Sequence, residues 1–251
     1  MKKFALVFAV LALASPAFAA DLPARRQALI PSSPPPPVFD WSGIYIGANG
    51  GAGFGDAAWS FPTADPSFAH AGDGFGTHPN GALAGGQIGF NRQFGPWLFG
   101  LPWLFGVEFT GDWTGLRQTL AGPTPDFPLN SWTTTLTDVE TITARFGVPL
   151  NNWLFYGKAG GATGAISLHA LSATASYDQT SRALGETFGG GIEYALAPNL
   201  FLGVEYDFIR LYPGTFIGTE SNGKAISVAA GSPFDVQSIL ARLSYRFYPV
   251  R

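Results

Sequence analysis

Hydrophobic and polar residues alternate with a period of two in four segments of the chain. In the clearest of them, Phe105–Thr110, aromatic and aliphatic residues alternate with glycine, glutamate and threonine. The segments Thr141–Val148, Leu202–Phe208 and Ser238–Phe247 repeat this pattern. Because successive side chains of a strand point to opposite faces, the pattern predicts β-strands with one apolar and one polar face.

Four further segments are rich in glycine, and they lie at residues 41–54, 81–94, 153–166 and 183–196. Alternation among small residues says little about register, so only the existence of these strands is predicted. Segments of about ten residues with alternating hydrophobicity are typical of membrane barrels. We therefore predict an all-β fold, an eight-stranded antiparallel transmembrane β-barrel over residues 41–248.

The links between the predicted strands alternate between short and long. The short links are 95–102, 149–152 and 197–199, and the long links are 55–80, 114–136, 167–182 and 212–235. Outer-membrane barrels have short periplasmic turns and long external loops. An even number of strands places both chain ends on the side of the short turns, so the sequence predicts an orientation as well as a fold.

The N-terminal region has the features of an export signal followed by a tail. Lys2 and Lys3 precede the apolar run Phe4–Ala14, and Ala17–Ala19 resembles a cleavage site, so residues 1–19 are predicted to be a signal peptide. Residues 20–40 include four consecutive prolines, which favour an extended spacer. We interpret this segment as a periplasmic tail.

Composition separates this chain from soluble and helical membrane proteins. Charged residues make up 12% of the chain, against about 25% in soluble domains. After the signal peptide, no apolar run reaches the roughly 20 residues that a membrane-spanning helix needs, which excludes a helical inner-membrane protein. The formal charge is −3, and without a clustered basic face nucleic-acid binding is not expected.

Eight charged residues fall on the polar faces of the predicted strands and should point into the barrel. Seven of them form a predicted lumen charge network, Glu108, Arg145, Lys158, Glu193, Glu205, Asp207 and Arg242, and the eighth is Arg246, which brings their formal sum to zero. An eight-stranded barrel is only wide enough for side chains to fill. A structural ion-pair network is therefore favoured over a selectivity ring or a catalytic carboxylate.

Other candidate chemistry is weaker. Aromatic residues near the predicted strand ends are expected to lie at the membrane interfaces, and they are Trp103, Trp113, Trp153, Tyr194 and Tyr245. His70, His78 and His169 lie in predicted loops without ligand spacing, so neither a metal nor a cofactor is expected. No catalytic residue is predicted, since no serine hydrolase motif occurs.

Several motifs resemble the outer-membrane β-barrel proteins of alphaproteobacteria, a porin-like family that includes the RopB-type surface proteins. The motifs are Ala20–Pro23, Phe39–Gly47, Gly85–Asn91, Gly106–Glu108, Arg145–Gly147, Gly191–Tyr194, Glu205–Tyr206 and Tyr245–Phe247. The resemblance implies an outer-membrane location and an OmpA-like barrel. It also implies that Phe247, which matches the aromatic residue on which family members usually end, is the signal read by the barrel-assembly machinery, although Tyr248–Arg251 follow it here.

The expected function is that of a non-enzymatic integral outer-membrane protein that supports envelope integrity and displays surface loops. Its expected partners are outer-membrane lipid and the barrel-assembly machinery. Two alternatives remain open from the sequence: a small-solute porin, and a surface receptor or adhesin for haemin or a host ligand.

Overall fold

The computed structural model describes residues 39–96, 100–122 and 129–247 of the chain. The predicted signal peptide and all but the last two residues of the predicted tail lie outside this range. No helix in the described part is long and apolar enough to cross a membrane.

The described residues form eleven strands. They are β1 (Gly43–Ser60), β2 (Gly74–Thr77), β3 (Asn80–Phe94), β4 (Trp103–Ala121), β5 (Ser131–Leu150), β6 (Trp153–Leu171), β7 (Ser176–Ala197), β8 (Leu200–Tyr212), β9 (Thr215–Thr219), β10 (Ala225–Ala230) and β11 (Phe234–Arg246). Eight are long, from 13 residues in β8 and β11 to 22 in β7. These eight correspond to the eight segments that the sequence predicts, although residues 41, 42 and 247 of those segments lie outside the strands.

The long strands form a closed antiparallel ring in the order β1, β3, β4, β5, β6, β7, β8 and β11. The ring closes because β11 pairs with β8 on one side and with β1 on the other, where Tyr45 lies opposite Arg246. Closure gives every long strand two neighbours, so the backbone groups that would be costly to expose to hydrocarbon are paired. The prediction of an eight-stranded antiparallel barrel is confirmed.

The three short strands lie at one end of the ring, which we call the loop end. Strand β2 pairs with the last residues of β1, where Phe75 lies opposite Trp59. Strands β9 and β10 form a hairpin that joins β1 through Trp59 and Ala230. The opposite end, which we call the turn end, carries the short links. The link between β5 and β6 and the link between β7 and β8 are each two residues long.

The strands extend much further towards the loop end than the sequence predicts. The predicted loop 167–182 shrinks to residues 172–175, because β6 and β7 stay paired as far as Leu171 and Ser176. The predicted loop 114–136 is likewise mostly strand, since β4 and β5 pair up to Ala121 and Ser131. A 22-residue strand measures about 70 Å, well beyond an apolar band about 25 Å tall.

On the turn side of the barrel, apolar side chains face outward and charged side chains face inward. Ile142 and Val204 are 67% and 58% exposed, whereas Arg145 and Glu205 are at most 1% exposed. A soluble β-sandwich has the opposite arrangement. The inside-out pattern predicted from the alternation is therefore present in this half.

Candidate functional site

The seven charged residues of the predicted lumen network lie inside the barrel as one buried layer. They come from six strands, with Glu108 on β4, Arg145 on β5, Lys158 on β6, Glu193 on β7, Glu205 and Asp207 on β8, and Arg242 on β11. None is more than 5% exposed. Because each strand alternates inward and outward residues, the polar positions of neighbouring strands converge on this level of the lumen.

One side of the layer is organised by Arg145. Its guanidinium group donates to Glu193 at 2.8 Å and to Glu108 at 3.2 Å. The guanidinium carbon lies over the ring of Tyr156, 3.8 Å from the ring centroid. A planar group with several donors can bridge two carboxylates in this way, and here it joins β4, β5 and β7.

The other side of the layer contains Lys158 and Arg242. The Lys158 ammonium lies 2.7 Å from Glu205 and 3.1 Å from Asp207. Arg242 binds both Glu205 and Glu108, contacting the second carboxylate through both of its terminal nitrogens. Glu108 is therefore shared between two arginines, and the ion pairs run continuously across the lumen from β8 to β4.

Two tyrosines that the sequence did not single out complete the layer. The Tyr45 hydroxyl donates to Glu108 at 2.7 Å, and the Tyr156 hydroxyl donates to Glu205 at 2.6 Å. Each phenol lies over a glycine on the neighbouring strand, Gly89 and Gly191 respectively, where a Cβ atom would come within 2.6 Å of the phenol oxygen. A tyrosine placed opposite a glycine on the neighbouring strand is the sequence signal that could have identified both tyrosines as lumen residues.

Arg246 does not belong to the layer. It lies at the turn end, where one terminal nitrogen donates to the carbonyl oxygen of Pro198 at 2.6 Å and its guanidinium group lies over the ring of Phe39. The predicted sum of zero therefore changes, because four acids and three bases remain in the layer. With all seven ionised its formal charge is −1.

An aromatic plug closes the turn end below the charged layer. Trp41 is 1% exposed and packs against Phe201, with ring centroids 4.8 Å apart. Phe39 packs against both rings at 5.1 and 5.8 Å, and Leu104 and Leu154 belong to the same plug. Phe39 was predicted to lie in the tail, but the structure places it against the barrel end.

A larger apolar core fills the loop end above the charged layer. Trp132 lies at its centre, with its ring 5.2 to 5.4 Å from those of Phe61, Phe68 and Phe75, which come from the β1–β2 link and β2. Inward residues of the long strands complete it, including Leu83, Leu116, Leu136, Ile166, Leu168, Leu211, Phe234 and Val236. The lumen is thus filled in three layers, aromatic, charged and apolar.

A closed ring with a polar interior and an apolar outer face is the architecture of outer-membrane barrels. The sequence matches the outer membrane protein beta-barrel domain family over residues 5–247. The chain belongs to this family. Its location is the cell outer membrane. The short turns of such barrels face the periplasm.

The chain is similar to several solved structures, with which it shares little sequence. Neisserial surface protein A is 15% identical, with a TM-score of 0.42 over 82% of this chain and 98% of that one. Ail of Yersinia pestis is 14% identical, with a TM-score of 0.37 over 82% and 99%. OprG of Pseudomonas aeruginosa is 12% identical, with a TM-score of 0.40 over 82% and 97%. No curated protein matches.

The predicted interface aromatics of this outer-membrane family member lie on the outer face. Trp103, which stacks on Phe94 at 4.2 Å, and Trp153, which packs on Tyr194 at 4.7 Å, lie at the turn end. Tyr245 is also at this end and packs on Phe247. Trp113 lies far along β4 towards the loop end and is 77% exposed.

The histidines lie apart from one another on the loop side. His78 is 3.2 Å from Asp56, His169 is 3.5 Å from Asp178, and His70 is 3.8 Å from Asp73. Within the described ranges, no group of three or more histidine, aspartate or glutamate side chains is placed to hold a metal ion. Each histidine lies near an acidic side chain close to the surface.

Proposed function

We propose that this outer-membrane protein is a closed, non-enzymatic barrel that contributes to envelope integrity and displays the loop end to the exterior. The observation that carries the proposal is the filling of the lumen. Its charged layer, which contains Arg145 and Glu108, lies between the plug around Trp41 and the core around Trp132.

The charged layer supports closure because its members bind one another. Arg145, Lys158 and Arg242 each lie within 4 Å of at least two carboxylates. Removing one partner from a buried pair leaves a desolvated charge, which costs several kcal/mol. An ion or solute that crossed the barrel would have to separate these pairs and displace the apolar cores on both sides.

Conductance in planar lipid bilayers tests this proposal. Purified wild-type protein is expected to give no steady channel steps, whereas a known porin reconstituted in the same way gives them. Reproducible openings from the wild type would overturn the closed barrel and favour the alternative, a pore for small solutes. Folding of each sample is checked by the mobility difference between boiled and unboiled protein on a gel.

Two partners belong to this proposal. The outward apolar residues, Val204 among them, contact outer-membrane lipid, and Phe247 is recognised by the barrel-assembly machinery. Phe247 is 46% exposed and follows the last barrel strand, so it is accessible for recognition. The variant Phe247→Ala is expected to lower the folded fraction in outer-membrane preparations. An unchanged folded fraction would argue against its role as a signal.

Within the family, we place the chain with the alphaproteobacterial RopB-type proteins. The motifs Phe39–Gly47 and Gly85–Asn91 support this placement. In the structure both motifs belong to one region, because Gly43 to Gly47 pair with Gln87 to Asn91 on the neighbouring strand. A sequence tree in which this chain groups outside those proteins would contradict the placement.

A further inference from the structure

Two external segments meet at a pair of buried acids. Asp65 lies in the link between β1 and β2, and Glu220 follows β9 in the β9–β10 hairpin. Both segments are held by their own backbone hydrogen bonds. Asp65 exchanges two with Ala69, and the amide of Glu220 donates to the Lys224 carbonyl oxygen at 2.8 Å. The two carboxyl groups are therefore carried on ordered turns.

The two carboxyl groups are close together and shielded from solvent. Asp65 and Glu220 are 5% and 3% exposed, and the Asp65 carboxyl is near enough to raise the pKa of the Glu220 carboxyl. Asp65 Oδ1 accepts a hydrogen bond from the Ser67 backbone amide at 2.7 Å. Glu220 Oε2 accepts a hydrogen bond from the Asn222 amide at 2.7 Å. Its other oxygen, Oε1, is buried without a hydrogen-bond partner.

Neither acid has a basic side chain to neutralise it. In the described part of the chain, no lysine, arginine or histidine forms an ion pair with Asp65 or Glu220. Burial raises the pKa of Glu220, and the adjacent Asp65 carboxyl raises it further, against the lowering effects of Asn222 and Ser67. Two buried carboxylates in contact require either a shared proton or a bound cation.

We propose that Asp65 and Glu220 bind a hard divalent cation, Ca²⁺ in particular, which joins the β1–β2 link to the β9–β10 hairpin. The two carboxylates and the nearby Ser67 hydroxyl offer oxygen atoms, which Ca²⁺ prefers. The Asn222 and Ser67 N–H groups that donate to the carboxylates hold them in place. Ca²⁺ also accepts irregular geometry with water completing its shell, whereas Mg²⁺ demands a near-ideal octahedron. The unpartnered Glu220 Oε1 supplies a free ligand atom.

The site is independent of whether the lumen conducts. With few protein ligands, its dissociation constant should lie in the range of extracellular calcium modules, about 10⁻⁴ to 10⁻³ M. At the loop end, millimolar Ca²⁺ in the external medium is then enough to fill it by mass action.

Calcium titration by calorimetry tests the proposal on the full mature chain, refolded in detergent at neutral pH without anionic lipid. The wild type is expected to bind one Ca²⁺ per chain. Binding should weaken at least tenfold in Asp65→Asn and in Glu220→Gln, which keep side-chain size but lose a charge. The control variant Asp178→Asn, which removes an exposed carboxylate near His169, should bind as the wild type does.

Limited proteolysis at the loop end gives a second readout. Ca²⁺ should slow cleavage of residues 61–73 and 220–224 in the wild type and in Asp178→Asn, but not in the two site variants. Absence of calcium binding in the wild type, or binding that survives both site substitutions, would overturn the proposal. If the wild type binds no calcium and Glu220→Gln resists cleavage without calcium, the cation site is overturned. The two acids would then be held together by a shared proton.

Discussion

The two halves of this barrel use opposite arrangements of the same strands. On the turn side, charged residues such as Arg145 are inside and apolar residues such as Phe146 are outside. On the loop side, Leu136 and Ile166 are buried inside, while Asp178 and Arg182 face outward. The surroundings decide the arrangement, because lipid accepts apolar side chains and water accepts polar ones.

A belt of outward charges marks the boundary between the halves. Arg182 on β7 pairs with Asp138 at 2.7 Å and with Glu140 at 2.5 Å, and Arg210 on β8 pairs with Asp235 at 2.7 Å. Below this belt the outward residues are mostly apolar. The belt therefore shows where the outer face of the barrel changes from lipid-facing to water-facing.

A change of register helps β5 to cross this boundary. Thr137 has no opposite residue in the backbone pairing of β5 with β6, since Leu136 pairs with Ile166 and Asp138 pairs with Ala165. Such a bulge adds one residue, so the inward positions change from odd numbers below it to even numbers above it. The strand can then turn Leu136 and Trp132 into the apolar core without losing its place in the ring.

Removing a charge from the lumen should have the largest effect. In Arg145→Ala, Glu193 loses its ion-pair partner and Glu108 loses one of its two arginines. We expect a loss of about 3–5 kcal/mol in the free energy of unfolding, because an uncompensated charge stays buried. The loss of stability should appear as a lower temperature at which the folded gel band disappears.

The matched control for that experiment is Arg182→Ala on the outer belt. Arg182 also contacts two carboxylates, but 49% of its side chain is exposed. Exposed pairs contribute about 0–1 kcal/mol, so its folded band should persist to nearly the wild-type temperature. If Arg145→Ala and Arg182→Ala lose the same stability, the buried ion pairs of the lumen stabilise the barrel no more than the exposed pairs of the outer belt do.

Adding a charge to the outer face should give the next largest difference in stability between the two halves. Val204 lies on the lipid-facing side of β8 and is 58% exposed. Arginine at the middle of such a face costs about 2–4 kcal/mol, so Val204→Arg should lower the stability measured in lipid vesicles by urea unfolding. Ile217 is 70% exposed on β9 at the loop end, and Ile217→Arg should change stability by no more than about 0.5 kcal/mol. A similar cost at both positions would place the membrane boundary elsewhere.

The sequence predicts the turn-side half better than the loop-side half. Glu108 and Arg145 stand in segments with strong alternation, so their inward direction can be read directly. Tyr45 and Tyr156 stand among glycines, where alternation gives no register. The loop-side parts of the strands are not predicted because polar residues such as Asp178 and Arg182 face outward there, which removes the apolar alternation of a membrane strand. The bulge at Thr137 also interrupts the period of two.

The smallest expected difference concerns the space that glycines leave in the lumen. A Cβ atom on Gly191 would lie 2.6 Å from both the Tyr156 hydroxyl and the Val204 carbonyl oxygen, whereas one on outward-facing Gly161 would meet nothing closer than 3.9 Å. Gly191→Ala should therefore cost about 1–3 kcal/mol through overpacking. Gly161→Ala should be neutral or stabilise by up to about 1 kcal/mol, since it restricts the unfolded chain. Urea unfolding in vesicles distinguishes these outcomes, and equal stability of the two variants would mean that the Tyr156 phenol does not need the gap at Gly191.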